Sequence, residues 1–501
     1  MAVNKMDRWH GSAALRPRRI IDARSRIFNH ISDSIKNLGG FIHEWTPFLL
    51  VMSYFVFSTC LYMFCTDNLI SIFWFIYLTT NFYIAGSTVL EALMSLGPTR
   101  DAWKAAELVQ KKDWTFPTPD DDLLLLDLLI VAYLPNEQDI IMDRVHYALD
   151  EIRYPKDRIR VNLVYNTPHP IEPLESSLQD LALRKSHFCV FKVPGSKSKA
   201  DNLNYFFSLK TDSDVITIFD ADHYTHPYGP RWAVERFISD KNVSIVQGRC
   251  VIFNTKVSWL ASMIAVEFDK IYAISHPGRA SLFGFALFTG SNGYWRTPLL
   301  QDLKMDGTVL TEDIDSSMRA LSRGCKIVHD LNVVSYELAP TSIPAMWKQR
   351  LRWAQGWTQI SMAHLALVWK RSSQGQRNLT MRFGLLSLLL IREFSYYLVT
   401  QYCCLVLSIV LTQFPKTPAT LARFIFFPFP VSVWFFIISI ICLIATLWIT
   451  ARVRSEFITR WMVIMFSIIY TPYLVFNATM GIYGHARQVV RYTKWNPTKR
   501  T

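Results

Sequence analysis

The chain has 501 residues, of which 50% are hydrophobic and 14% aromatic, and its formal net charge is +13. The apolar residues are concentrated in five blocks near the roughly 20 residues that cross a bilayer, which excludes a wholly soluble protein. These blocks are 46–65, 69–90, 383–412, 428–450 and 461–483. The excess basic charge suits an anionic membrane surface or phosphate-bearing ligands, and no nucleic-acid partner is expected.

The N-terminal region, 1–45, is predicted to be a basic cytoplasmic segment, followed by two transmembrane helices over 46–92. Arg16, Arg18 and Arg24 precede the first span, whereas the loop after it carries only Asp67. The positive-inside rule therefore places the N-terminus and the domain after the second span in the cytoplasm. We expect a multi-pass integral membrane protein of the plasma membrane.

The segment 93–345 is predicted to be a cytoplasmic α/β domain. Apolar runs that end at polar or turn residues predict strands, and helical patterns alternate with them. The predicted strands are 123–134, 158–165, 187–193 and 215–219. Such alternation is typical of a mostly parallel sheet with helices on both faces. Because ligands bind at the carboxyl ends of strands in such sheets, polar clusters there are candidate site residues.

Asp220 and Asp222 directly follow the fourth predicted strand. Carboxylates at i and i+2 can both reach forward from the end of a strand. Such hard oxygen ligands bind Mg²⁺ or Mn²⁺, usually together with substrate phosphates. The alternative is an ordinary acidic turn, and the motifs that follow favour the metal site.

Thr311, Glu312 and Asp313 open a predicted helix over 310–324. A carboxylate there is stabilised as the anion by the backbone dipoles, and Thr-Glu-Asp is also ordinary N-capping chemistry. A general base that deprotonates an acceptor hydroxyl likewise needs a carboxylate at the edge of a pocket. The residues alone leave both interpretations open.

The segment 346–382 is predicted to contain a helix at the membrane interface. Gln349, Arg352 and Trp353 share one face of it, since they lie at i, i+3 and i+4. Arg352 can pair with a diphosphate and Trp353 can stack on a sugar ring. The alternative, a helix that only anchors, does not explain the glutamine. Three residues are expected to anchor the helix at the interface: Trp347, Arg350 and Trp357.

The C-terminal part is predicted to hold transmembrane helices over 383–483 and a basic tail over 484–501. We expect the tail to be cytoplasmic, which requires an even number of crossings after the α/β domain. The sequence has three apolar blocks there. Two features bear on this conflict: Arg392 and Glu393 interrupt the first block, and Pro472 can kink the third or make it re-entrant.

Five motifs occur in order over about 220 residues. They are PNE at 135–137, KADNLN at 199–204, DAD at 220–222, TED at 311–313 and QRLRW at 349–353. Together they resemble the membrane-embedded family-2 glycosyltransferases, such as cellulose, curdlan, hyaluronan, chitin and poly-N-acetylglucosamine synthases. The resemblance implies a GT-A fold inserted between transmembrane helices, with amphipathic interface helices. It also implies an inverting mechanism that uses a nucleotide sugar, usually a UDP-sugar.

The resemblance further implies roles for single residues. Asp222 would bind the metal that bridges the diphosphate, with Asp220 near the nucleotide, and Asp313 would be the base of the catalytic motif that includes Thr311 and Glu312. The donor diphosphate and the acceptor end would be held by Gln349, Arg352 and Trp353. The nucleotide pocket would be lined by Asn136, Glu137 and Lys199, and the acceptor side would be shaped by Gly290, Ser291, Asn292 and Gly293.

The turn after the second predicted strand and the basic tail also bear on the resemblance. Family members commonly carry an acidic turn after the second strand, and here the chain has Tyr165 and Asn166, which would stack on the base and accept hydrogen bonds. The tail matches the gating-loop pattern of the synthases and would fold over the bound donor, through Trp495, Thr498 and Lys499. A basic tail lying on lipid headgroups is the alternative.

The expected function is processive synthesis of a β-linked polysaccharide from a UDP-sugar, with UDP-glucose ahead of UDP-N-acetylglucosamine. The product would pass through the chain's own spans, and the expected cofactor is Mn²⁺ or Mg²⁺. The expected partners are the nucleotide sugar, the growing polysaccharide and membrane lipid. Aromatic residues in the spans would suit a sugar-stacking channel, although lipid or helix contacts are the alternative: Phe394, Tyr396, Tyr397, Tyr402 and Trp434. A non-processive transferase that glycosylates a lipid is the competing function.

Overall fold

Two long helices open the described part of the chain. The computed structural model describes residues 18–370, 378–427 and 429–491, with side chains from residue 40 onward. Helix α1 spans Arg18–Met63 and helix α2 spans Asp67–Lys111. Their apolar parts are long enough to cross a membrane. Helix α2 continues beyond its apolar part as far as the α/β domain.

An eight-stranded mixed sheet forms the centre of the α/β domain, in the order β3-β2-β1-β4-β7-β6-β8-β5. The strands are β1 Leu126–Tyr133, β2 Ile159–Asn166, β3 Phe188–Lys192, β4 Val215–Asp220, β5 Tyr224–Thr225, β6 Val243–Ile252, β7 Gly293–Arg296 and β8 Lys326–Glu337. Strands β1 to β4 pair in parallel, as do β6 and β8, whereas β7 is antiparallel to both of its neighbours. The carboxyl ends of β1, β2 and β4 therefore meet at one edge.

Helices cover both faces of this sheet. They are α3 Leu134–Glu137, α4 Ile141–Asp150, α5 Leu174–Arg184, α6 Lys199–Phe207, α7 Gly229–Ser239, α8 Trp259–Asp269, α9 His276–Phe283, α10 Thr297–Leu303 and α11 Glu312–Ser322. A π-helical segment, Lys270–Ser275, joins α8 to α9. One face of the sheet packs in an apolar core with α6 and α11, and the other packs with α4, α5 and α7. The predicted helix-covered sheet is confirmed.

Within the described part of the chain, six α-helices follow the sheet. They are α12 Ile343–His364, α13 Leu379–Leu386, α14 Arg392–Gln413, α15 Pro418–Phe426, α16 Pro430–Val453 and α17 Arg460–Val489. A π-helical segment makes α13 and α14 continuous over Leu379–Gln413. In the described ranges, five helices are long and apolar enough to cross a membrane. They coincide with the five apolar blocks of the sequence.

Candidate active site

A cleft of about 620 Å³ opens where β1, β2 and β4 end. Its lining includes six residues that the sequence predicts for the site: Glu137, Asn166, Lys199, Asp220, Glu312 and Arg352. They come from six different elements, since α3, β2, α6, β4, α11 and α12 each contribute one. The fold thus brings together residues that are up to 215 positions apart, and most of the side chains are charged.

Lys199 is one of the residues that line this cleft. It is the first residue of α6, and the helix begins there because the hydroxyl of Ser198 accepts a hydrogen bond from the amide of Asp201 at 3.1 Å. The Lys199 ammonium pairs with Asp220 and donates to the carbonyl of Gly290 at 2.7 Å. Burial lowers the pKa of Lys199, but the Asp220 and Glu312 carboxylates outweigh it, so the pKa is raised. The lysine therefore remains a cation.

Asp313 faces the turn that Lys199 holds in place. Gly290 has φ of +97°, and a Cβ there would lie 2.8 Å from Oδ2 of Asp313, so only glycine leaves the carboxylate its position. Burial, followed by the charge of Glu312, raises the pKa of Asp313 to about 7. A carboxylate with this pKa can take up a proton near neutral pH, as a general base must.

Thr311 occupies the N-cap position of α11, but its side chain makes no capping hydrogen bond. Its hydroxyl is buried and has no hydrogen-bond partner among the described residues. Glu312 lines the cleft instead of turning back to the helix. The geometry thus favours a functional interpretation of the motif over simple capping.

Three side chains at the end of β4 are close enough to share a cation. Asp220, Asp222 and His223 each offer one ligand atom, and these atoms lie within 4.8 Å of one another. Nδ1 of His223 is 3.6 Å from Oδ1 of Asp222, and Nε2 contacts Glu337. Burial lowers the pKa of His223, but the Glu337 and Asp222 carboxylates raise it well above the usual value. The carboxylates of Asp220 and Asp222 are oxygen ligands of the kind that Mn²⁺ and Mg²⁺ prefer, so the donor set fits either ion.

His223 was not predicted from the sequence. Its position directly after Asp222 was the available signal. Cys250 and Glu337 also lie within reach of His223, and they belong to strands β6 and β8, which the sequence analysis did not identify. The surroundings of the aspartates are therefore a product of the tertiary fold.

Helix α12 presents the predicted face only in part to the cleft. Arg352 lines the cleft and donates to the Leu310 carbonyl at 3.3 Å. Gln349 is buried, and its Oε1 has no hydrogen-bond partner among the described residues. Trp353 is half-buried beside Phe268, with ring centroids 6.4 Å apart. A buried acceptor without a partner is unusual, which makes Gln349 a candidate contact for a ligand hydroxyl.

The predicted anchoring role is wrong for Arg350, whereas Trp347 and Trp357 are partly exposed and their anchoring role stays a prediction. Arg350 is buried and pairs with Glu267 at 2.5 Å. Trp347 packs against α17, and the guanidinium of Arg392 lies 3.9 Å from the ring centre of Trp357. All three side chains contact other parts of the protein, because α12 lies between the α/β domain and the C-terminal helices.

Four further predicted contacts are not supported by the placement of the residues. Tyr165 is 1% exposed and donates to Glu175 at 2.8 Å, so it cannot stack on a base. Ser291 and Asn292 are buried and hold the turn, since the Asp220 amide donates to the Ser291 hydroxyl at 3.2 Å. Among the described residues that line the cleft, Glu137 appears but Asn136 does not. The predicted gating-loop residues Trp495, Thr498 and Lys499 lie outside the described residues.

The comparison with protein families decides the classification. Residues 215–474 match the model of the family described as "Glycosyl transferase family group 2", which is more than half of the chain. The chain belongs to this glycosyltransferase family. The resemblance inferred from the five motifs is confirmed, and the mixed sheet with its flanking apolar helices agrees with the expected GT-A-like fold.

This glycosyltransferase aligns with part of the length of two named relatives. "Probable glucomannan 4-beta-mannosyltransferase 7" of Oryza sativa subsp. japonica is 27% identical over 218 residues, which are 42% of this chain and 37% of the relative. "Poly-beta-1,6-N-acetyl-D-glucosamine synthase" of Staphylococcus aureus (strain MSSA476) is 26% identical over 252 residues, 48% of this chain and 56% of the relative. The chain thus matches about one third to one half of these relatives.

A solved structure of the mannosyltransferase PcManGT from Pyrobaculum calidifontis, in complex with GDP-Man and Mn²⁺, gives a TM-score of 0.46 at 18% identity. The match covers 72% of this chain and 99% of that one.

Proposed function

We propose that this glycosyltransferase is a membrane-integrated, inverting polysaccharide synthase. It transfers sugar from a nucleotide sugar, with UDP-glucose as the first candidate donor and UDP-N-acetylglucosamine as the second, to the end of a β-linked polymer. The observation that carries the proposal is the convergence of Lys199, Asp220, Glu312 and Arg352 in one cleft, with the Asp313 carboxylate at the Gly290 turn that Lys199 contacts. Cations and carboxylates so arranged suit a donor diphosphate and an acceptor hydroxyl.

The reaction follows from the placement of these groups. Lys199 and Arg352 supply positive charge at the cleft, where the leaving diphosphate would be bound. Asp313 removes the proton of the acceptor hydroxyl, whose oxygen then attacks the anomeric carbon as the bond to the diphosphate breaks. Attack from the face opposite the leaving group inverts the configuration and gives a β-linkage from an α-linked donor.

A divalent cation held by Asp220 and Asp222, with His223 beside them, would neutralise charge on the diphosphate. The protein residues keep this site rigid, because Asp222 is 2% exposed and adjoins His223, which in turn contacts Glu337.

A cavity of about 410 Å³ supports passage of the product through the helices. It extends from Lys270, next to the α/β domain, to Phe426 on α15, and α2, α14, α16 and α17 form its walls. Small polar side chains on two of these helices face it at helical spacing: Asn81 and Thr88 on α2, and Ser439, Thr446 and Thr450 on α16. These hydroxyl and amide groups offer polar contacts to a sugar chain within a mainly apolar wall.

The predicted aromatic channel is largely wrong. Phe394 and Trp434 are exposed on the outer surface of their helices, and Tyr396 packs against Gly481. Tyr397 hydrogen-bonds His485 at 2.8 Å, and only Tyr402 of the five aromatic residues lines the cavity. The cavity is lined by hydroxyl groups together with other aromatic rings, among them Phe435, Phe436 and Phe466.

The proposed location is the plasma membrane, with the α/β domain in the cytoplasm, where nucleotide sugars are available. The basic N-terminal region and the single acidic residue between the first two spans support this orientation.

The proposal is tested by nucleotide release from the purified full-length protein. UDP-glucose, UDP-N-acetylglucosamine and GDP-mannose are supplied in turn with Mn²⁺, Mg²⁺ or a chelator, and the product is sized and digested with linkage-specific hydrolases. We expect a long polymer from one donor and no release with the chelator. A product confined to the lipid extract would favour the non-processive lipid transferase. Turnover of no donor by a folded sample would contradict both activities.

A further inference from the structure

Four helices run between two opposite sides of the molecule. At the α/β domain, Glu91 of α2 pairs with Arg279 at 3.1 Å, and the carbonyl of Val453 at the end of α16 accepts from Arg249 at 3.1 Å. We call this the near side. The other ends of these helices lie with the turn between α1 and α2 and the short helix α15, and we call that the far side. Helices α1, α2, α14 and α16 each connect the two sides.

Helix α17 begins on the near side. The segment before it is bound to the α/β domain, since the amide of Ser455 donates to Asp269 at 2.5 Å and the hydroxyl of Thr255 donates to the Phe457 carbonyl at 3.2 Å. Ile458 is buried in one apolar cluster with Cys250 and other residues of that domain. The N-terminal end of α17 is thus fixed against the sheet.

The other end of α17 also lies on the near side. Oε1 of Gln488 accepts from Gln359 on α12 at 3.1 Å, and Oε1 of Gln359 accepts from the amide of Leu310 at 2.9 Å. Leu310 directly precedes the Thr311-Glu312-Asp313 motif. A Cβ on Gly484 would lie 2.8 Å from the amide nitrogen of Gln355, so α17 and α12 touch backbone to backbone there. The C-terminal end of α17 is therefore as close to the cleft as α12 is.

These contacts do not fit a helix that crosses the membrane. Thirty residues of α-helix are about 45 Å long, and the apolar core of a bilayer is about 30 Å thick. A crossing helix of this length would have its ends on opposite sides. Both ends of α17 contact the α/β domain or α12, which is itself bound to that domain through Arg350 and Arg352. Pro472 near the middle removes one helical hydrogen bond and permits a bend.

We propose that α17 lies in the interface of the near leaflet and does not cross the bilayer. The chain then crosses four times, through α1, α2, α14 and α16, and residue 491 is on the same side as the α/β domain. This arrangement gives the even number of crossings after the α/β domain that a tail on that side requires. It also sets the C-terminal end of α17 next to the cleft through Gln488 and Gln359.

The surface that contacts lipid in this arrangement is an apolar rim formed by Val257, Trp259, Trp461, Ile464 and Ile468. Trp461, Ile464 and Ile468 lie at i, i+3 and i+7 of α17, so they share one face, and Trp461 and Ile468 are 65% and 66% exposed. Val257 and Trp259 are also exposed, at the start of α8, which packs on α17. Tryptophan prefers the membrane–water interface, so the partner that fits this rim is the lipid of the near leaflet.

The first test is the sidedness of the end of α17. Three exposed positions are replaced singly in the full-length protein, as Arg491→Cys, Asp121→Cys in the α/β domain and Lys416→Cys on the far side, and sealed vesicles are treated with a membrane-impermeant maleimide. Labelling above that of the parent protein is measured. We expect Arg491→Cys to react from the same side as Asp121→Cys. Reaction only from the side of Lys416→Cys would overturn the proposal.

The second test measures depth. A spin label or fluorophore on Ile468→Cys is compared with the same probe on Ile441→Cys, an exposed position near the middle of α16. We expect shallow quenchers to reach the probe at 468 several-fold better than the probe at 441. Equal burial of both probes at the bilayer centre would show that α17 crosses the membrane. This test does not depend on whether Arg491→Cys folds.

Discussion

At Asp313 the protein holds a carboxylate beside Glu312 and Lys199, where burial raises its pKa to about 7. A folded-state pKa above the unfolded value means that the ionised side chain opposes folding at pH above about 3.9. We therefore expect Asp313→Asn to lower transfer by at least about 100-fold, to leave donor binding in place, and to keep or raise the melting temperature. Product formation, nucleotide binding and thermal unfolding check the three results. Full transfer by this variant would contradict the assignment of the base.

The pKa of Asp313 also predicts how the transfer rate depends on pH. Only the carboxylate form of Asp313 can accept the proton, and its fraction falls as the pH drops through the pKa of about 7. We expect kcat/KM to decrease below pH 7 and to approach about a tenfold loss per pH unit. A steady-state profile between pH 5.5 and 8.5 checks this, with donor binding measured over the same range as the control. A flat profile would show that another group limits the rate.

The absence of a side chain at Gly290 leaves space for the Asp313 carboxylate. Substitution of Gly195, which also has positive φ, serves as the control for the effect of backbone strain alone. Gly290 and Gly195 both have positive φ, +97° and +71°, but a Cβ on Gly195 has nothing within 4 Å. Either change to alanine costs about 1–2 kcal/mol of folding free energy. We expect only Gly290→Ala to lower the transfer rate, by tenfold or more. Similar rates for the two variants in a folded state would contradict the role of the turn.

At the scale of the element, α12 carries two arginines in different environments. Arg350 is buried against Glu267, whereas Arg352 faces the cleft and makes one long hydrogen bond at 3.3 Å. We expect Arg350→Met to cost about 3–5 kcal/mol of stability, because the Glu267 charge is left buried without its partner. Arg352→Met should cost about 0.5 kcal/mol or less and instead weaken donor binding. Thermal unfolding and nucleotide binding of the two variants check this contrast, and Glu267→Gln should restore part of the Arg350→Met loss.

Elements with a local pattern in the sequence could be predicted. The first four strands are apolar runs that end at polar residues, and the observed β1 to β4 lie within the predicted limits or extend one residue beyond them. Strands β6 and β8 were missed, because they pair across more than 80 residues, carry buried polar side chains such as Gln247 and contain an irregular register near Gly248.

The same limit applies to side chains in the site. The helical spacing predicted one shared face for Gln349, Arg352 and Trp353, and of these three residues Arg352 lines the cleft. The partner of Arg350 is 83 residues away in the chain, and the positions of Tyr165, Ser291 and Asn292 depend on what packs over them. Burial of this kind follows from the assembled fold and has no local pattern in the sequence.

At the scale of the whole molecule, a contact between α8 and α12 connects the surroundings of the cleft with those of the cavity between the helices. Phe268 on α8 lies beside Trp353, and Lys270, two residues further on, lines the near end of the cavity and donates to the Tyr470 hydroxyl at 2.9 Å. A product leaving the cleft between α8 and α12 would therefore meet the cavity directly. Under the proposed function, a block in the cavity should therefore act on polymer length before it acts on the transfer step.

Helix α16 offers a matched pair for this last test. Thr446 lines the cavity and is nearly buried, whereas Ile444 on the same helix is 60% exposed on the outer surface. We expect Thr446→Trp to shorten the polymer and to slow sustained nucleotide release by tenfold or more, while a single transfer to a short oligosaccharide acceptor keeps its rate. Ile444→Trp, which adds the same indole on the lipid side, should resemble the parent protein in all three measurements. Gel-filtration sizing of the product, steady-state release and single-turnover transfer distinguish the variants. If folded Thr446→Trp makes polymer of the parental length, the product does not pass through this cavity.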